Sequence, residues 1–223
     1  MTLAASLHEA YDRWAKVYPP APHNPLMHAE QAAMMELLPE VAGRRVLDLA
    51  CGSGRYAALV EAAGAAQVVG IDFSVAMLSR AALAARVRGD MTRLPLRSAT
   101  FDLVISGLAM GHTADLFACA REAARVLRPG GVLLYSDFHD DAWRSGLTRS
   151  FKDAEGRAVT LPRDGYPLWQ HYAALAAAGF EIQATRELRV GIEFSPRFPG
   201  CDDLYRRHHG VPLVMVVCAR TQP

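Results

Sequence analysis

Three aspartates stand in the first half of the chain, each at or near the end of a short run of β-branched and leucine residues. They are Asp48, Asp72 and Asp90. Residues 50–54 read Ala-Cys-Gly-Ser-Gly and join the first run to an alanine-rich stretch. A glycine-rich turn between a strand and a helix presents backbone N–H groups to a ligand. The spacing therefore predicts a ligand crevice with carboxylates along its edge.

The elements that must position these carboxylates alternate in type along the chain. Runs rich in β-branched residues predict strands at 44–49, 67–72, 85–90, 101–106 and 131–137. Alanine- and leucine-rich stretches predict helices at 56–63, 75–84 and 116–127. This alternation indicates an α/β fold with a doubly wound, mostly parallel sheet. The carboxyl ends of parallel strands meet at one edge, where ligands of such sheets bind.

Further elements flank this core, and we expect one domain over residues 1–223. Helical spacing of apolar residues predicts helices at 7–18 and 27–38, which would form an N-terminal helical cap over 1–40. The cofactor-binding core would span 41–137. A hairpin around Ala154-Glu155-Gly156 would form an insertion over 138–167. A helix at 168–178 and strands at 180–188 and 212–220 would close the domain over 168–223.

Composition and charge narrow the function classes. The 223 residues are 51% hydrophobic, which is enough for a full core, and 24 basic against 23 acidic residues give a formal charge of +1. A net charge this small produces no overall electrostatic field that would attract nucleic acid or an anionic membrane. The four cysteines form no C-x-x-C pair, and the sequence shows no secretory signal or membrane span. We expect a cytoplasmic monomer or homodimer without nucleic-acid or membrane partners.

The charge of Asp48 discriminates between two ligands of the glycine-rich turn. Gly52, Gly54 and Ala57 also satisfy the dinucleotide fingerprint, so an NAD-dependent oxidoreductase stays open on the glycine pattern alone. A carboxylate beside the turn would repel a pyrophosphate and attract an ammonium group. S-adenosylmethionine carries an ammonium group and no phosphate. The alternative interpretation is that Asp48 only caps the following turn.

The other two aspartates suit the remainder of the same nucleoside. Asp72 follows Gly54 by eighteen residues, where a carboxylate can accept both ribose hydroxyls. Asp90 could accept the adenine amino group, with Phe73 and Met91 as apolar walls for the ring. The alternative for Asp72 is an N-cap of the next helix, although Ser74 is better placed for that role.

The order of these segments resembles the successive motifs of class I S-adenosylmethionine-dependent methyltransferases. The matching segments are DLACGSG at 48–54, GIDFS at 70–74, GDMTRLPL at 89–96, FDLVIS at 101–106 and ARVLRPGG at 124–131. One departure is Ala50, where many members have glycine. The resemblance implies a seven-stranded sheet whose last strand is antiparallel. It also implies an N-terminal lid with a tyrosine hydroxyl, from Tyr11 or Tyr18, near the methionine carboxylate.

Residues for the chemical step are expected in the loops after the fourth and fifth strands. His112 is the first candidate for a base or a substrate hydrogen-bond partner, His139 is the second, and a histidine without a chemical role is the alternative. We also expect Met77, Ser106 and Gly107 to contact the cofactor. The acids beside His139 are consecutive rather than drawn from several loops, so we expect no metal.

The sequence predicts methyl transfer from S-adenosylmethionine to an oxygen, carbon or nitrogen of a small-molecule acceptor by in-line displacement. Two alternatives stay open: an NAD-dependent oxidoreductase and a non-catalytic protein that binds S-adenosylmethionine.

Overall fold

A seven-stranded sheet organises the protein in a computed structural model that describes residues 3–4, 6–19, 21–161, 165–191 and 202–222. The strands are β1 (Leu3–Ala4), β2 (Arg45–Leu49), β3 (Gln67–Asp72), β4 (Ala85–Arg88), β5 (Phe101–Gly107), β6 (Leu127–Phe138), β7 (Ser150–Lys152), β8 (Ala158–Thr160), β9 (Phe180–Arg189) and β10 (Pro212–Thr221). The large sheet has the order β4-β3-β2-β5-β6-β10-β9. In this sheet, β10 runs opposite to the other six strands, which confirms the predicted fold class.

Helices cover both faces of this sheet. They are α1 (Leu7–Ala15), α2 (Pro25–Glu36), α3 (Arg55–Ala62), α4 (Val75–Leu78), α5 (Leu116–Val126), α6 (Asp140–Arg144), α7 (Leu168–Ala177) and α8 (Asp202–His208). Successive residues of a strand point to opposite faces, so Val46 packs in the core cluster that includes α3 residues and Leu47 in the one that includes α5 residues. Both side chains are fully buried. Each contributes roughly 1.5–3 kcal/mol by leaving water.

The N-terminal helices begin where their sequences provide caps. Ser6 and Glu9 form a reciprocal capping box at the start of α1, with the Glu9 carboxylate accepting from the Ser6 N–H at 3.0 Å. Asn24 caps α2, and Pro25 occupies its first position, where no N–H is needed. Both helices start close to the predicted residues but end at Ala15 and Glu36, two or three residues early.

The predicted hairpin is present and belongs to a second, three-stranded sheet. β7 pairs antiparallel with β8, and β1 pairs parallel with the other edge of β8. The two-residue strand β1 is too short to carry a periodic signal, and sequence analysis did not predict it. The short helix α6, five residues long, escaped prediction for the same reason.

The predicted helix at 75–84 is wrong over its second half, because α4 ends at Leu78. The chain then turns inward and buries Ala81 and Leu83. Arg86 satisfies the carbonyls released by this turn, since its Nη1 donates to the oxygens of Leu78 at 3.2 Å and Ala81 at 2.9 Å. A side chain from the next strand therefore replaces the helical hydrogen bonds, and no glycine or proline marks the end.

β6 begins at Leu127 rather than at the predicted residue 131. It contains Pro129 and Gly130, and its pairing with β5 shifts register between Phe101 and Leu103. The prediction that helix α5 stops before this Pro-Gly segment is confirmed. Among the described residues, no helix has both the length and the apolar character needed to cross a membrane.

Candidate active site

The loop between β2 and α3 has the backbone of a ligand-binding turn. Ala50, Gly52 and Gly54 have φ angles of 56°, 55° and 84°. Glycine adopts this left-handed region freely, whereas alanine at position 50 costs roughly 1–2 kcal/mol. The Cys51 N–H donates to the carbonyl of Ile71 at 2.9 Å and ties the loop to β3. This loop therefore keeps its strained shape through contacts with the neighbouring strand.

Two cavities lie at this end of the sheet. The main cavity, about 520 Å³, extends from the glycine-rich loop to α1 and to the β7 segment. The second cavity, about 510 Å³, lies beside the ends of β3 and β4. Ala50, Asp72, Phe73, Met91 and His112 line both. The two cavities therefore adjoin along the edge where sequence analysis predicts the crevice.

Asp48 lies beneath the loop with 1% of its surface exposed and lines the main cavity. Its Oδ2 accepts from the Ala57 N–H at 2.9 Å, so it also caps the first turn of α3. Burial raises the pKa of Asp48 to about 7. A buried carboxylate of this kind is stabilised by a cation brought close to it. Capping and ligand binding are thus compatible roles for this side chain.

Asp72 is buried at the end of β3 and lines both cavities. Its Oδ2 accepts from the Gly52 N–H and its Oδ1 from the Ser74 N–H, each at 2.8 Å. Burial raises its pKa. The helix cap is Ser74, whose Oγ accepts from the Met77 N–H at 3.2 Å. Asp72 therefore holds the glycine-rich loop and still faces the cavities, as the ribose prediction requires.

The second cavity contains the residues predicted to surround adenine. Asp90 and Met91 line it together with Phe73, whose ring lies edge-on to Tyr11 with centroids 5.4 Å apart. Asp90 is exposed, and its Oδ1 accepts from the Thr92 N–H and hydroxyl at 2.8 Å. Part of its carboxylate is thus used to fix the turn. Its contact with adenine stays a prediction.

Met77, Ser106 and Gly107 were also expected to contact the cofactor, and of these Met77 and Gly107 line the main cavity. Gly107 has no room for a side chain, because a Cβ there would lie 2.3 Å from the ring of Tyr56. Ser106 is fully buried within β5 and lines neither cavity. Alternate residues of a strand point to opposite faces, and the cavity-facing neighbour is Gly107, so a contact of Ser106 with the cofactor stays a prediction.

Aromatic residues from the N-terminal helix form the far wall of the main cavity. Trp14 stacks on Phe151 with centroids 5.0 Å apart, and the Tyr18 ring meets Trp14 at 4.9 Å. Burial raises the pKa of Tyr11 to about 12 and also raises that of Tyr18. Both hydroxyls therefore keep their protons at neutral pH and can donate hydrogen bonds, as the resemblance implies. Of these residues, Tyr11 and Tyr18 were singled out from the sequence as candidates for this wall.

His112 lines both cavities, but one of its ring nitrogens is already engaged. Nη1 of Arg149 lies 2.6 Å from its Nε2. A guanidinium group only donates, so Nε2 is the acceptor and the ring hydrogen belongs on Nδ1. The imidazole therefore cannot accept a substrate proton at Nε2 unless Arg149 moves. Sequence analysis missed Arg149, which is 37 residues away along the chain.

His139 lies outside the lining of both cavities, and its role as a second catalytic residue stays a prediction. It is buried, and its Nδ1 accepts from the Asp141 N–H at 3.2 Å, so it caps α6. Its ring nitrogens and the carboxylates of Asp140 and Asp141 lie within 4.8 Å of one another. These residues are consecutive at one helix start, and Asp140 pairs with Arg144 at 3.2 Å. Metal-independent activity stays a prediction.

A buried network beside the glycine-rich loop was also missed. Glu30 has no exposed surface and accepts hydrogen bonds from Tyr56, Ser136 and Arg55 at 2.6, 2.5 and 2.9 Å. It joins α2, α3 and β6, and both Arg55 and Tyr56 line the main cavity. These partners lie 25 to 106 residues from Glu30, so no local spacing could reveal them. The single available signal is an acid on the apolar side of a predicted helix.

Comparisons with known proteins agree with this geometry. A family described as a methyltransferase domain matches residues 47–135. A malonyl-[acyl-carrier protein] O-methyltransferase of Dechloromonas aromatica (strain RCB) is 34% identical over 158 residues, which cover 70% of this chain and 60% of that protein. A demethylmenaquinone methyltransferase of Mycolicibacterium paratuberculosis (strain ATCC BAA-968 / K-10) is 41% identical over 170 residues, covering 67% of this chain and 73% of that protein.

A solved structure extends the similarity to almost the whole fold. An S-adenosylmethionine-dependent methyltransferase from Mesorhizobium loti superposes with a TM-score of 0.70 at 27% identity, covering 88% of this chain and 100% of that one. The predicted resemblance is thereby confirmed. The chain belongs to the class I S-adenosylmethionine-dependent methyltransferases, the family whose cofactor is S-adenosylmethionine.

Proposed function

We propose that this protein transfers a methyl group from S-adenosylmethionine to an oxygen or carbon atom of a small-molecule acceptor. One observation carries the proposal: a single cavity is lined by the buried carboxylates Asp48 and Asp72 and also by the aromatic residues Trp14 and Phe151. A methyl donor and its acceptor must be held side by side with water excluded. The cavity supplies both sets of contacts in one space.

Each part of the cofactor has a chemical counterpart in this chain. Asp48 offers a carboxylate to an ammonium group, and Asp72 offers one to the ribose hydroxyls. Asp90, Met91 and Phe73 would surround the adenine, while Tyr18 would donate to the cofactor's carboxylate. The same two buried acids would repel a pyrophosphate. When bound, the cofactor supplies a methyl group that is already electrophilic because it is attached to a sulfonium.

The protein's own contribution to the chemical step is placement more than proton transfer. Trp14 and Phe151 exclude water from the acceptor side, and Gly107 at the end of β5 leaves room for the ring of Tyr56, which also lines the cavity. His112, held by Arg149, helps to shape the wall between the two cavities. An acceptor with an acidic hydroxyl or carbon can release its proton to solvent, so no dedicated base is needed.

The relatives and the charge balance support a small acceptor. One relative is named as an O-methyltransferase of malonyl-[acyl-carrier protein] and another as a demethylmenaquinone methyltransferase. This chain covers 60% of the first, so its own acceptor is argued from its residues. A formal charge of +1 gives no broad attraction to nucleic acid or to anionic membranes. We propose that the protein acts as a monomer or homodimer.

Two measurements test this function. Calorimetry with S-adenosylhomocysteine and with NADH should show tight binding of the first alone, whereas preferential NADH binding would restore the oxidoreductase alternative. Production of S-adenosylhomocysteine from S-adenosylmethionine should then rise in the presence of some acceptors from a panel of phenols, enols and carboxylic acids. Cofactor binding without turnover on any of them would favour the non-catalytic alternative.

A further inference from the structure

Arg149 is a half-buried cation on the acceptor side of the main cavity. It lies just before β7, and its Nη1 donates to the carbonyl of Leu108 at 3.0 Å and to Nε2 of His112 at 2.6 Å. Both acceptors are neutral. Within the described residues, no carboxylate lies in salt-bridge contact with its guanidinium, so the side chain brings a positive charge that these neighbours do not cancel.

The free edge of this guanidinium has a specific shape. Nη1 has two hydrogens, and its two acceptors use both of them. The hydrogens on Nε and Nη2 lie along one edge, and in the described parts of the chain neither nitrogen has a hydrogen-bond partner. This edge matches the two oxygens of a carboxylate in a bidentate contact. The fold thus orients the side chain through one nitrogen and leaves a fork for an anion.

The surroundings of the fork are flat and aromatic. The Arg149 guanidinium carbon lies 4.9 Å from the ring centroid of Phe138 and 5.9 Å from that of Trp14. Trp14 is in turn stacked on Phe151 with an angle of 12° between the rings. The guanidinium therefore lies over the faces of two rings, and a planar group attached to an anion at its free edge would extend along the same aromatic residues. An acceptor beside this fork would therefore combine a ring with an anionic group.

The other cations of the main cavity do not offer the same contact. Arg55 is already bonded to the carboxylate of Glu30 at 2.9 Å and to the side chain of Gln31 at 3.0 Å. Lys152 is exposed to solvent, where an ion pair gains little. Arg149 is the half-buried cation of this lining whose described partners are all neutral.

We propose that the methyl acceptor is an aromatic acid, whose carboxylate binds the Nε and Nη2 edge of Arg149 and whose ring lies among Trp14, Phe138 and Phe151. This inference rests on the proposed function, because it identifies the acceptor class of the same cavity. Under this proposal, Arg149 determines acceptor specificity. The hydrogen bond from Arg149 to His112 orients the guanidinium so that its Nε and Nη2 edge faces the acceptor.

The test is calorimetry on the full chain saturated with S-adenosylhomocysteine. Probe acids are benzoate, salicylate and 4-hydroxybenzoate, and the matched neutral and non-planar probes are 4-hydroxybenzamide and cyclohexanecarboxylate. We expect the preferred aromatic acid to bind about tenfold or more tightly than the amide, as a charge-assisted contact predicts. Cyclohexanecarboxylate should bind more weakly than benzoate, because it cannot lie flat against the rings.

Variants assign the effect to the fork. Arg149→Met should remove the preference for the acid over the amide, and Arg149→Lys should retain part of it. Arg144→Met is the matched control, since that side chain is 72% exposed on α6 outside both cavities. It should bind every probe as the wild type does. If Arg149→Met does not fold, the wild type and Arg149→Lys still test the proposal, because the preference for the acid over the amide should be smaller in Arg149→Lys.

Several outcomes would overturn the proposal. These are equal binding of acid and amide, a preference that persists in Arg149→Met, and failure of every aromatic acid to bind. A parallel loss of S-adenosylhomocysteine affinity in Arg149→Met would show instead that the fork holds the cofactor's carboxylate. Failure of the proposed function is read separately, because the wild type would then either not bind S-adenosylhomocysteine or bind it without turning over any acceptor.

Discussion

Replacing Asp48 by asparagine tests whether this buried carboxylate binds the ammonium group of the cofactor. The amide has the same shape, and its oxygen can still accept the Ala57 N–H that Asp48 accepts at 2.9 Å. The change therefore removes the charge and preserves the cap. A charge-assisted hydrogen bond is worth about 1.5–3 kcal/mol, so the affinity for S-adenosylhomocysteine should fall by about tenfold to a hundredfold at pH 8.

The pKa of Asp48 also predicts how the affinity for S-adenosylhomocysteine changes with pH. Because burial raises that pKa to about 7, the side chain is mostly ionised at pH 8 and mostly protonated at pH 6. The ionised form pairs with an ammonium group, so wild-type affinity should increase by about tenfold from pH 6 to pH 8. Asp48→Asn should remove this dependence, and the difference between the two proteins should narrow as the pH falls.

Calorimetry with two ligands isolates the contact. S-adenosylhomocysteine has the amino-acid end, whereas 5′-methylthioadenosine lacks it, so Asp48→Asn should weaken the first and leave the second unchanged. Thermal unfolding of the ligand-free proteins is the control for folding. A carboxyl whose pKa is raised in the folded state loses stability as pH rises from its unfolded pKa towards 7, so Asp48→Asn should be at least as stable as wild type at pH 8.

Two results would refute the reasoning about Asp48. One is an equal loss of affinity for both ligands, which would mean that the carboxylate acts only by shaping the loop. The other is a pH dependence that persists in Asp48→Asn, which would assign the titration to another group.

Three further substitutions test other parts of the site. Asp72→Ala should weaken S-adenosylhomocysteine and 5′-methylthioadenosine alike by about tenfold or more, because both contain the ribose, and calorimetry showing either one unchanged contradicts this role. Glu30→Gln should lower the melting temperature by about 10 °C, since it breaks the buried ion pair with Arg55. A shift near zero in a thermal scan would show that this ion pair does not stabilise the fold. Gly107→Ala should cost about 1–3 kcal/mol in denaturant unfolding, because its Cβ would overlap the ring of Tyr56, and a stability equal to wild type would show that the ring can move away.

The positions of Asp48, Asp72 and Asp90 along the two cavities could be predicted because they depend on local order. Each of Asp48, Asp72 and Asp90 comes at or just after a strand whose hydrophobic run is visible in the sequence, and parallel strands bring those ends together. The residues of the glycine-rich loop are adjacent in sequence, so the glycines alone indicate a tight turn with positive φ angles. The antiparallel last strand came from the family resemblance, since the hydrophobic pattern of Pro212–Thr221 does not specify its direction.

The parts that escaped prediction depend on contacts between distant residues. Glu30 meets Ser136 across 106 positions, and Arg149 meets His112 across 37. α4 ends at Leu78, and Arg86 from the next strand donates to the carbonyls of Leu78 and Ala81. Tertiary contacts of this kind leave no periodic trace. His139 follows a strand end but lies outside both cavity linings, because adjacency to a strand end does not say which way a side chain points.

The two halves of the main cavity come from different parts of the chain. Asp48, Asp72 and Gly107 lie within residues 47–135, the segment that matches the methyltransferase domain family. Trp14 and Arg149, which line the same cavity and which we propose contact the acceptor, lie outside it. We expect the segment shared with this family to bind the cofactor and the flanking segments to determine acceptor choice. Exchanging residues 147–151 should then alter which acceptor is bound while cofactor affinity is retained. A loss of cofactor affinity in such an exchange would contradict this division.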